Sequence, residues 1–276
     1  MLKLMYITND IDVAHIAEKN GVDRIFVDME YIGINLRQGG MDTVQNHHTV
    51  EDVKKIRQAI QKSELMVRCN PIHEESENYC SSKEEIDAII DAGADIIMLP
   101  YFKTVDEVKS FLNFVNQRVK TLLLFETPES AEIIDDVLAL DGIDEAFVGL
   151  NDLSLGYGKK FMFELLADGT VERLCLKFRL KGIPFGFGGI ASLGKGMLPA
   201  EKIIAEHYRL GSTCTILSRS FCDTSKSCNV LELNNIFSIE LNKIRDYEKI
   251  CYGFSKWLWE NQQNVVDIVR EISQPK

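Results

Sequence analysis

TLLLFETPESAEIIDDVLALDGIDEAFVGLND, residues 121–152, holds two apolar runs, each closed by an acid. The first, Leu122-Leu123-Leu124-Phe125, ends on Glu126 and leads into Thr127-Pro128. The second, Ala146-Phe147-Val148-Gly149-Leu150-Asn151, ends on Asp152. Short continuous apolar runs bounded by turn residues read as strands buried on both faces, the habit of parallel sheets. Between them, Ser130–Ala139 carries apolar residues at helical spacing. Strand, helix and strand are thus written in roughly thirty residues, the size of a βαβ unit.

The same rhythm runs along the whole chain. Strands are expected at Leu2–Ile7, Arg24–Asp28, Leu65–Cys69, Asp95–Leu99, Thr121–Phe125, Glu145–Gly149, Ile183–Gly188 and Ser212–Leu217. Amphipathic helices are expected at Ser82–Asp91, Val105–Asn116, Val171–Lys181 and Pro199–Tyr208. Gly21, Gly93 and Gly211 each follow a helical segment, where a left-handed glycine turns the chain into the next strand. Strict alternation implies parallel strands with right-handed crossovers. Eight units in 276 residues predict an α/β fold, a closed (β/α)8 TIM barrel with additional C-terminal helices. An open doubly wound sheet fits less well, because the first turn, Thr8-Asn9-Asp10, lacks a glycine-rich phosphate loop.

Two stretches break the rhythm. Gly33–Thr49 is a long polar loop with His47 and His48, and loops of that length are usually functional or mobile. Residues 1–222 are expected to form the catalytic barrel. Residues 223–276 form a helical extension (Val230–Arg245 and Tyr252–Ile272) that packs on the barrel or on a neighbouring subunit, as Trp257, Leu258 and Val265 suggest.

Bulk composition excludes several classes. The chain is 45% hydrophobic and 26% charged, so it is globular. A net charge of −11 argues against nucleic-acid binding. No run has the length of a membrane span, and Asp10 and Asp12 interrupt the apolar start, so a cytoplasmic protein is expected. The seven cysteines are odd in number and contain no Cys-x-x-Cys pair, which reads as reduced thiols rather than disulfides or zinc ligands.

In a barrel, residues at the C-terminal ends of the strands converge on one face. Here they are Asp28, Glu30, Arg68, Glu126 and Asp152. Hard carboxylate oxygens suit Mg²⁺, Mn²⁺ or another divalent ion. The competing reading for Asp152 and Ser154 is a helix N-cap, and for Gly149–Ser154 it is a loop whose amides hold a carboxylate. Phe185-Gly186-Phe187-Gly188-Gly189 reads first as tight packing in a narrow barrel and only second as a phosphate site. Among the histidines, His15 and His207 lie in helical patterns, whereas His73, His47 and His48 lie in loops on the catalytic side.

Phe26-Val27-Asp28-Met29-Glu30, Val67-Arg68, Phe125-Glu126-Thr127 and Val148–Ser154 together resemble the HpcH/HpaI aldolase / citrate lyase β-subunit family. The resemblance runs from about Asp12 to Phe221. It implies a metal-dependent carbon–carbon lyase or aldolase acting on a pyruvate-like 2-oxo acid through a metal-stabilised enolate, with an unidentified second substrate. It also implies a homo-oligomer, a trimer or hexamer. Glu126 and Asp152 match the metal carboxylates, and Arg68 matches the arginine that contacts the 2-oxo acid. Asp28 matches an acid near the base, and the backbone of Gly149, Leu150, Asn151 and Asp152 matches the amides that hold the substrate carboxylate. Other readings are an acyl-CoA lyase of the citrate lyase type and a non-catalytic metabolite-binding barrel. Two positions depart from the family pattern. Tyr31 stands where a histidine usually follows Asp-x-Glu, and Leu124 stands where many relatives place glutamine. His48 is the expected replacement acid or base; the other choices are His47, a metal-bound water or a different reaction.

Overall fold

The computed structural model describes residues 1–33, 48–222, 229–252 and 255–274. His47 and Cys228 therefore lie outside the described residues, as does most of the Gly33–Thr49 loop. The strands are β1 (Lys3–Ile7), β2 (Arg24–Asp28), β3 (Glu64–Arg68), β4 (Ile96–Leu99), β5 (Lys120–Phe125), β6 (Glu145–Val148), β7 (Phe185–Ile190) and β8 (Cys214–Leu217). They pair in parallel in chain order, and β8 returns to β1 through Lys3↔Cys214 and Leu4↔Thr215. The eight-stranded barrel expected from the alternating pattern is present.

The helices between strands are α1 (Ile11–Lys19), α2 (Val50–Ala59), α3 (Ser82–Asp91), α4 (Val105–Val115), α5 (Pro128–Glu132), α6 (Ile134–Val137), α7 (Leu150–Gly156), α8 (Glu164–Ala167), α9 (Thr170–Lys181) and α10 (Ala200–Leu210). Side chains cap half of these starts, and Thr49, Ser81 and Thr104 each form a reciprocal capping box with the acid three residues on. Gly21, Gly93 and Gly211 have φ of 91°, 96° and 79°, the left-handed turns expected of them. The single helix expected over Ser130–Ala139 is instead two short ones. Thr127 and Pro128 start the first early, and Ile133 (φ −89°, ψ 10°) separates it from the second.

Two further helices, α11 (Val230–Cys251) and α12 (Ser255–Ser273), pack on the barrel's outer ring, α11 on α1 and α10, α12 on α10 and α8. Buried Glu248 ties α11 to the barrel, accepting from Leu2 N–H at 2.6 Å and from Tyr208 Oη at 3.0 Å. Among the described residues, no helix is long and apolar enough to cross a membrane.

The two-residue period of the strands sorts side chains between two cores. Ile25, Val27, Leu65, Val67, Leu123 and Phe125 face outward into the helix layer. Met5, Phe26, Met66, Met98, Leu122, Leu124, Phe147 and Cys214 fill the lumen. The lumen is tight at β7, where a Cβ on Gly186 would lie 2.3 Å from Cys214 O and 2.7 Å from Phe147 Cε2. Packing is therefore the reason for that glycine, as expected.

The same parity puts charge above and below the apolar layer. At the floor, the fully buried Arg24 forks onto Glu145 (2.6 and 2.7 Å) and donates to Glu64 at 2.8 Å. Lys120 reaches the other Glu64 oxygen at 2.6 Å. Burial works against the Glu64 carboxylate, but Lys120, Arg24 and Lys3 outweigh it and pull its pKa from 4.5 to about 2. A pKa depressed by folding gives stability that is present above the unfolded value and is lost as pH falls through the folded one. Wild-type stability should therefore decline between pH 4.5 and about 2. Urea unfolding followed across that window should show a shallower acid limb for Glu64→Gln and a lower stability than wild type at pH 7. Parallel curves would exclude this role for the floor cluster.

Candidate active site

Continuing each lumen-facing series by one more step places the top layer: Phe26 to Asp28, Met66 to Arg68, Leu124 to Glu126, Phe147 to Gly149. Arg68 is the centre of it. Its Nε and Nη2 grip the two Asp28 oxygens at 2.8 Å each, and Nη1 lies 2.9 Å from Glu30 Oε2. Three N–H groups are spent on carboxylates, leaving one on each of Nη1 and Nη2. Burial opposes the Arg68 charge, yet Asp28, Glu30 and Glu126 hold its pKa well above the ordinary arginine value. The guanidinium also sits 5.9 Å from the centre of the Phe26 ring.

Glu126 is buried and its Oε1 accepts the backbone N–H of Tyr101 at 3.0 Å. Tyr101 takes a left-handed φ of 49° at the end of β4, a conformation uncommon for a non-glycine residue. Gly149 faces the same carboxylate. A Cβ there would lie 2.7 Å from Glu126 Cβ and 2.8 Å from Oε2. The glycine is thus explained by the close approach of Glu126 rather than by backbone conformation.

Asp152 lies half-buried in the first turn of α7. That helix begins at Gly149 with no side-chain cap, and Ser154 Oγ donates to Asn151 O at 2.7 Å instead. The capping explanation for Asp152 therefore falls. Arg68, Glu126, Gly149, Leu150, Asn151 and Asp152 all line one cavity of about 390 Å³ at the C-terminal mouth. Its other walls are largely apolar and include Phe26, Met98, Leu124, Phe147, Met162 and Ile216. Gly188, Gly189, Ser218 and Arg219 complete it. A larger hollow, about 740 Å³, lies at the opposite end of the barrel. It is lined by charges that are paired, such as Arg57 with Asp95 and Lys120 with Glu64, and it is remote from the face where barrels place chemistry.

Asp28 and His48 are not walls of the mouth cavity; they stand behind Arg68. His48 is buried and its Nδ1 accepts the Asp28 backbone N–H at 3.0 Å, which leaves the ring proton on Nε2. In this arrangement His48 fixes Asp28. Tyr31 donates its backbone N–H to Asn70 Oδ1 at 3.0 Å and rests its ring 5.4 Å from that of Tyr79. Burial, then Glu85 and Tyr79, raise its phenol pKa, so it stays protonated at neutral pH. His73 presses both ring nitrogens against carbonyls, Pro71 O at 2.8 Å and Cys80 O at 2.9 Å. His207 is wholly buried against Phe187, and burial lowers its pKa to about 3.

The donor set favours a hard cation. Among the described residues no group of three or more His, Cys, Asp or Glu side chains is arranged to hold a metal. Mg²⁺, however, needs only one or two protein carboxylates and fills its octahedron with water and substrate. Glu126 and Asp152 on one cavity meet that need. Sequence reasoning missed the opposite rim, Ser218 and Arg219. Carrying the β8 parity from Cys214 through Ile216 to Ser218 would have found the serine. The Tyr101–Glu126 contact had no sequence signal at all.

The sequence model of the HpcH/HpaI aldolase/citrate lyase family matches residues 4–163, more than half of the chain. No curated protein matches the sequence. Among solved structures, an HpcH/HpaI aldolase/citrate lyase family protein from Burkholderia cenocepacia J2315 is similar, with a TM-score of 0.62 and 16% identity over 88% of this chain and 94% of that one. An HpcH/HpaI aldolase from Desulfitobacterium hafniense DCB-2 gives 0.56 and 14% over 89% and 93%. The citrate synthase SbnG gives 0.58 and 15% over 89% and 94%. At these identities the likeness speaks for the fold.

The Gly149–Glu126 contact can be tested directly. Gly149→Ala should cost about 1–3 kcal/mol of stability through overpacking. Because the displaced atoms belong to a candidate ligand, Mn²⁺ affinity measured by electron paramagnetic resonance should fall by about tenfold or more. Unchanged Mn²⁺ binding would remove Glu126 from the ligand set.

Proposed function

The chain belongs to the HpcH/HpaI aldolase/citrate lyase family, and from that premise we propose that it is a divalent-metal-dependent aldolase or carbon–carbon lyase acting on a pyruvate-like 2-oxo acid. The observation that carries the reading is the convergence of Arg68, Glu126 and Asp152 on one largely apolar cavity. Glu126 and Asp152 would hold Mg²⁺ or Mn²⁺. Such an ion, when bound, supplies Lewis-acid polarisation of a carbonyl oxygen.

The chain's own groups do the rest. Arg68 has one N–H remaining on each terminal nitrogen and lines the cavity, so it can donate to an oxygen that gains negative charge as a bond beside the carbonyl breaks or forms. Asp28 and Glu30 fix its plane, which spares the cost of orienting it during the reaction. The Gly149–Asp152 backbone, which opens α7 and lines the cavity, is the seat for the substrate carboxylate in this reading. His48 enters this reading as the residue that orients Asp28. The apolar walls exclude water and strengthen every charge interaction inside. We extend the proposal to a homo-oligomer, because Val230, Leu231, Ile239 and Trp259 leave apolar surface exposed on the C-terminal helices.

The reading is tested by proton exchange. Protein loaded with Mg²⁺ or Mn²⁺ should exchange the methyl protons of pyruvate for deuterium in D₂O, followed by proton NMR. Arg68→Lys keeps the charge but loses the fork on Asp28, so exchange should slow by about a hundredfold. Absence of exchange with every divalent ion tried would defeat the proposal.

A further inference from the structure

Strand β2 ends at Asp28, and its register with β3 ends at the pair Asp28↔Arg68, with Met29 N–H still donating to Arg68 O at 3.0 Å. Beyond that point the two chains stay joined through a side chain. Asn70, buried two residues past Arg68, accepts the backbone N–H groups of Tyr31 and Ile32 on one oxygen, Oδ1, at 3.0 and 2.9 Å. Its other end is held by Glu85, in the first turn of α3. Glu85 Oε1 accepts the Asn70 backbone N–H at 3.1 Å and Nδ2 at 2.9 Å. Only one orientation of the amide fits. A flip would set its NH₂ against two N–H donors and its carbonyl against a carboxylate.

Glu85 is itself buried. Burial raises its pKa; the Asn70 donors and then His73, whose Nε2 lies 3.9 Å from Oε2, oppose that rise. A buried carboxyl is costly unless its oxygens are bonded, and here the bonds come from the residue that fixes the exit of β2. The segment so fixed is short. Glu30 immediately precedes Tyr31, and its carboxylate holds Arg68 Nη1 at 2.9 Å. Asp28, two residues earlier, holds Nε and Nη2. The same grip leaves the Tyr31 ring on Tyr79, 5.4 Å away, and Tyr31 is not among the walls of the mouth cavity. A displaced 30–32 backbone would tilt the Glu30 carboxylate and with it the guanidinium plane.

We propose that Asn70, anchored by Glu85, is a positioning residue of the candidate active site: it sets the backbone that follows Glu30 and, through Glu30, the plane of the Arg68 guanidinium. The inference rests on the aldolase reading for what Arg68 does, and on the hydrogen bonds alone for how Arg68 is held.

The test separates placement from stability. In metal-loaded protein with pyruvate in D₂O, Asn70→Ala and Glu85→Ala should each lower kcat for methyl-proton exchange by about tenfold, with KM within about threefold of wild type, because a tilted guanidinium is felt most where charge develops. Glu85→Gln can still present a carbonyl oxygen to both Asn70 donors and should recover most of the rate lost in Glu85→Ala. A contact that only stabilises the fold would lower the melting temperature and leave kcat per folded molecule at the wild-type value. That result, or Glu85→Gln as slow as Glu85→Ala, would overturn the proposal. A second readout needs no turnover. The Arg68 Nε–H resonance in ¹H–¹⁵N NMR, assigned by its loss in Arg68→Lys, should exchange with water about tenfold faster in Asn70→Ala, and an unchanged exchange rate counts against the proposal in the same way. Should Asn70→Ala fail to fold, Asn70→Asp decides the case, since it keeps the acceptor for Tyr31 and Ile32 but sets a second oxygen against Glu85. Effects of about fivefold on the same two readouts uphold the proposal, and wild-type values overturn it. If wild type exchanges no pyruvate protons, the aldolase reading fails, while the Arg68 resonance still reports on the placement.

Discussion

The pleat of a parallel strand, closed into a barrel, is the constraint on which this molecule depends. Every second side chain must point into a lumen only a few side chains wide. Successive inward positions on β2 are therefore Arg24, Phe26 and Asp28, and on β3 they are Glu64, Met66 and Arg68. On β5 the series Leu122, Leu124 continues to Glu126, and on β6 the series Glu145, Phe147 continues to Gly149. One geometric rule thus produces an ionic floor, an apolar middle and a reactive top. A slip of one residue in any strand would exchange lumen and helix-facing sets together, so the register of the functional layer is fixed by the same burial that stabilises the fold.

The middle layer separates two ionic clusters that differ in purpose. At the floor Arg24 is met by Glu145 and Glu64, with Lys120 and Lys3 adding positive charge, and the cluster is internally satisfied. At the top, Arg68 is matched by Asp28 and Glu30 but also lines an open cavity that holds Glu126 and Asp152. The floor cluster is closed around its own charges, whereas Glu126 and Asp152 at the top share an open, largely apolar cavity with Arg68 and Arg219, where charge interactions are strengthened by the exclusion of water.

Much of this was legible in residues 121–152, because buried strands announce themselves as apolar runs and parallel pairing forces the alternation with helices. The acids at Glu126 and Asp152 were visible as interruptions of those runs. What could not be read is how neighbours use the spaces between elements. Gly149 looked like part of an anion-binding loop, but its lack of a Cβ makes room for Glu126. Gly186 and Gly188 look alike in sequence, yet one is excluded by Cys214 and Phe147 and the other by Leu150 beside the cavity. Tyr101 supplies a backbone N–H to Glu126 from a left-handed conformation that no sequence pattern signals. His48 looked like a loop base, and the structure turns its Nδ1 to the backbone of Asp28.

These facts divide the mouth into two halves with different freedom to change. The half built by β2, β3, β5 and β6 is interlocked: His48 holds Asp28, Asp28 and Glu30 hold Arg68, and Tyr101 and Gly149 hold Glu126. Removing Asp28 or Arg68 leaves a buried charge without its partner, a penalty of about 3–5 kcal/mol for a buried pair, whereas a larger residue at Gly149 displaces Glu126 sterically. The half built by β7 and β8 differs: Gly188 and Gly189 put bare backbone on the wall, Ser218 is half-buried and Arg219 is exposed at its turn. A change at Ser218 would reshape the cavity wall while leaving the Arg68 and Glu126 contacts in place, because none of those contacts is made by β7 or β8.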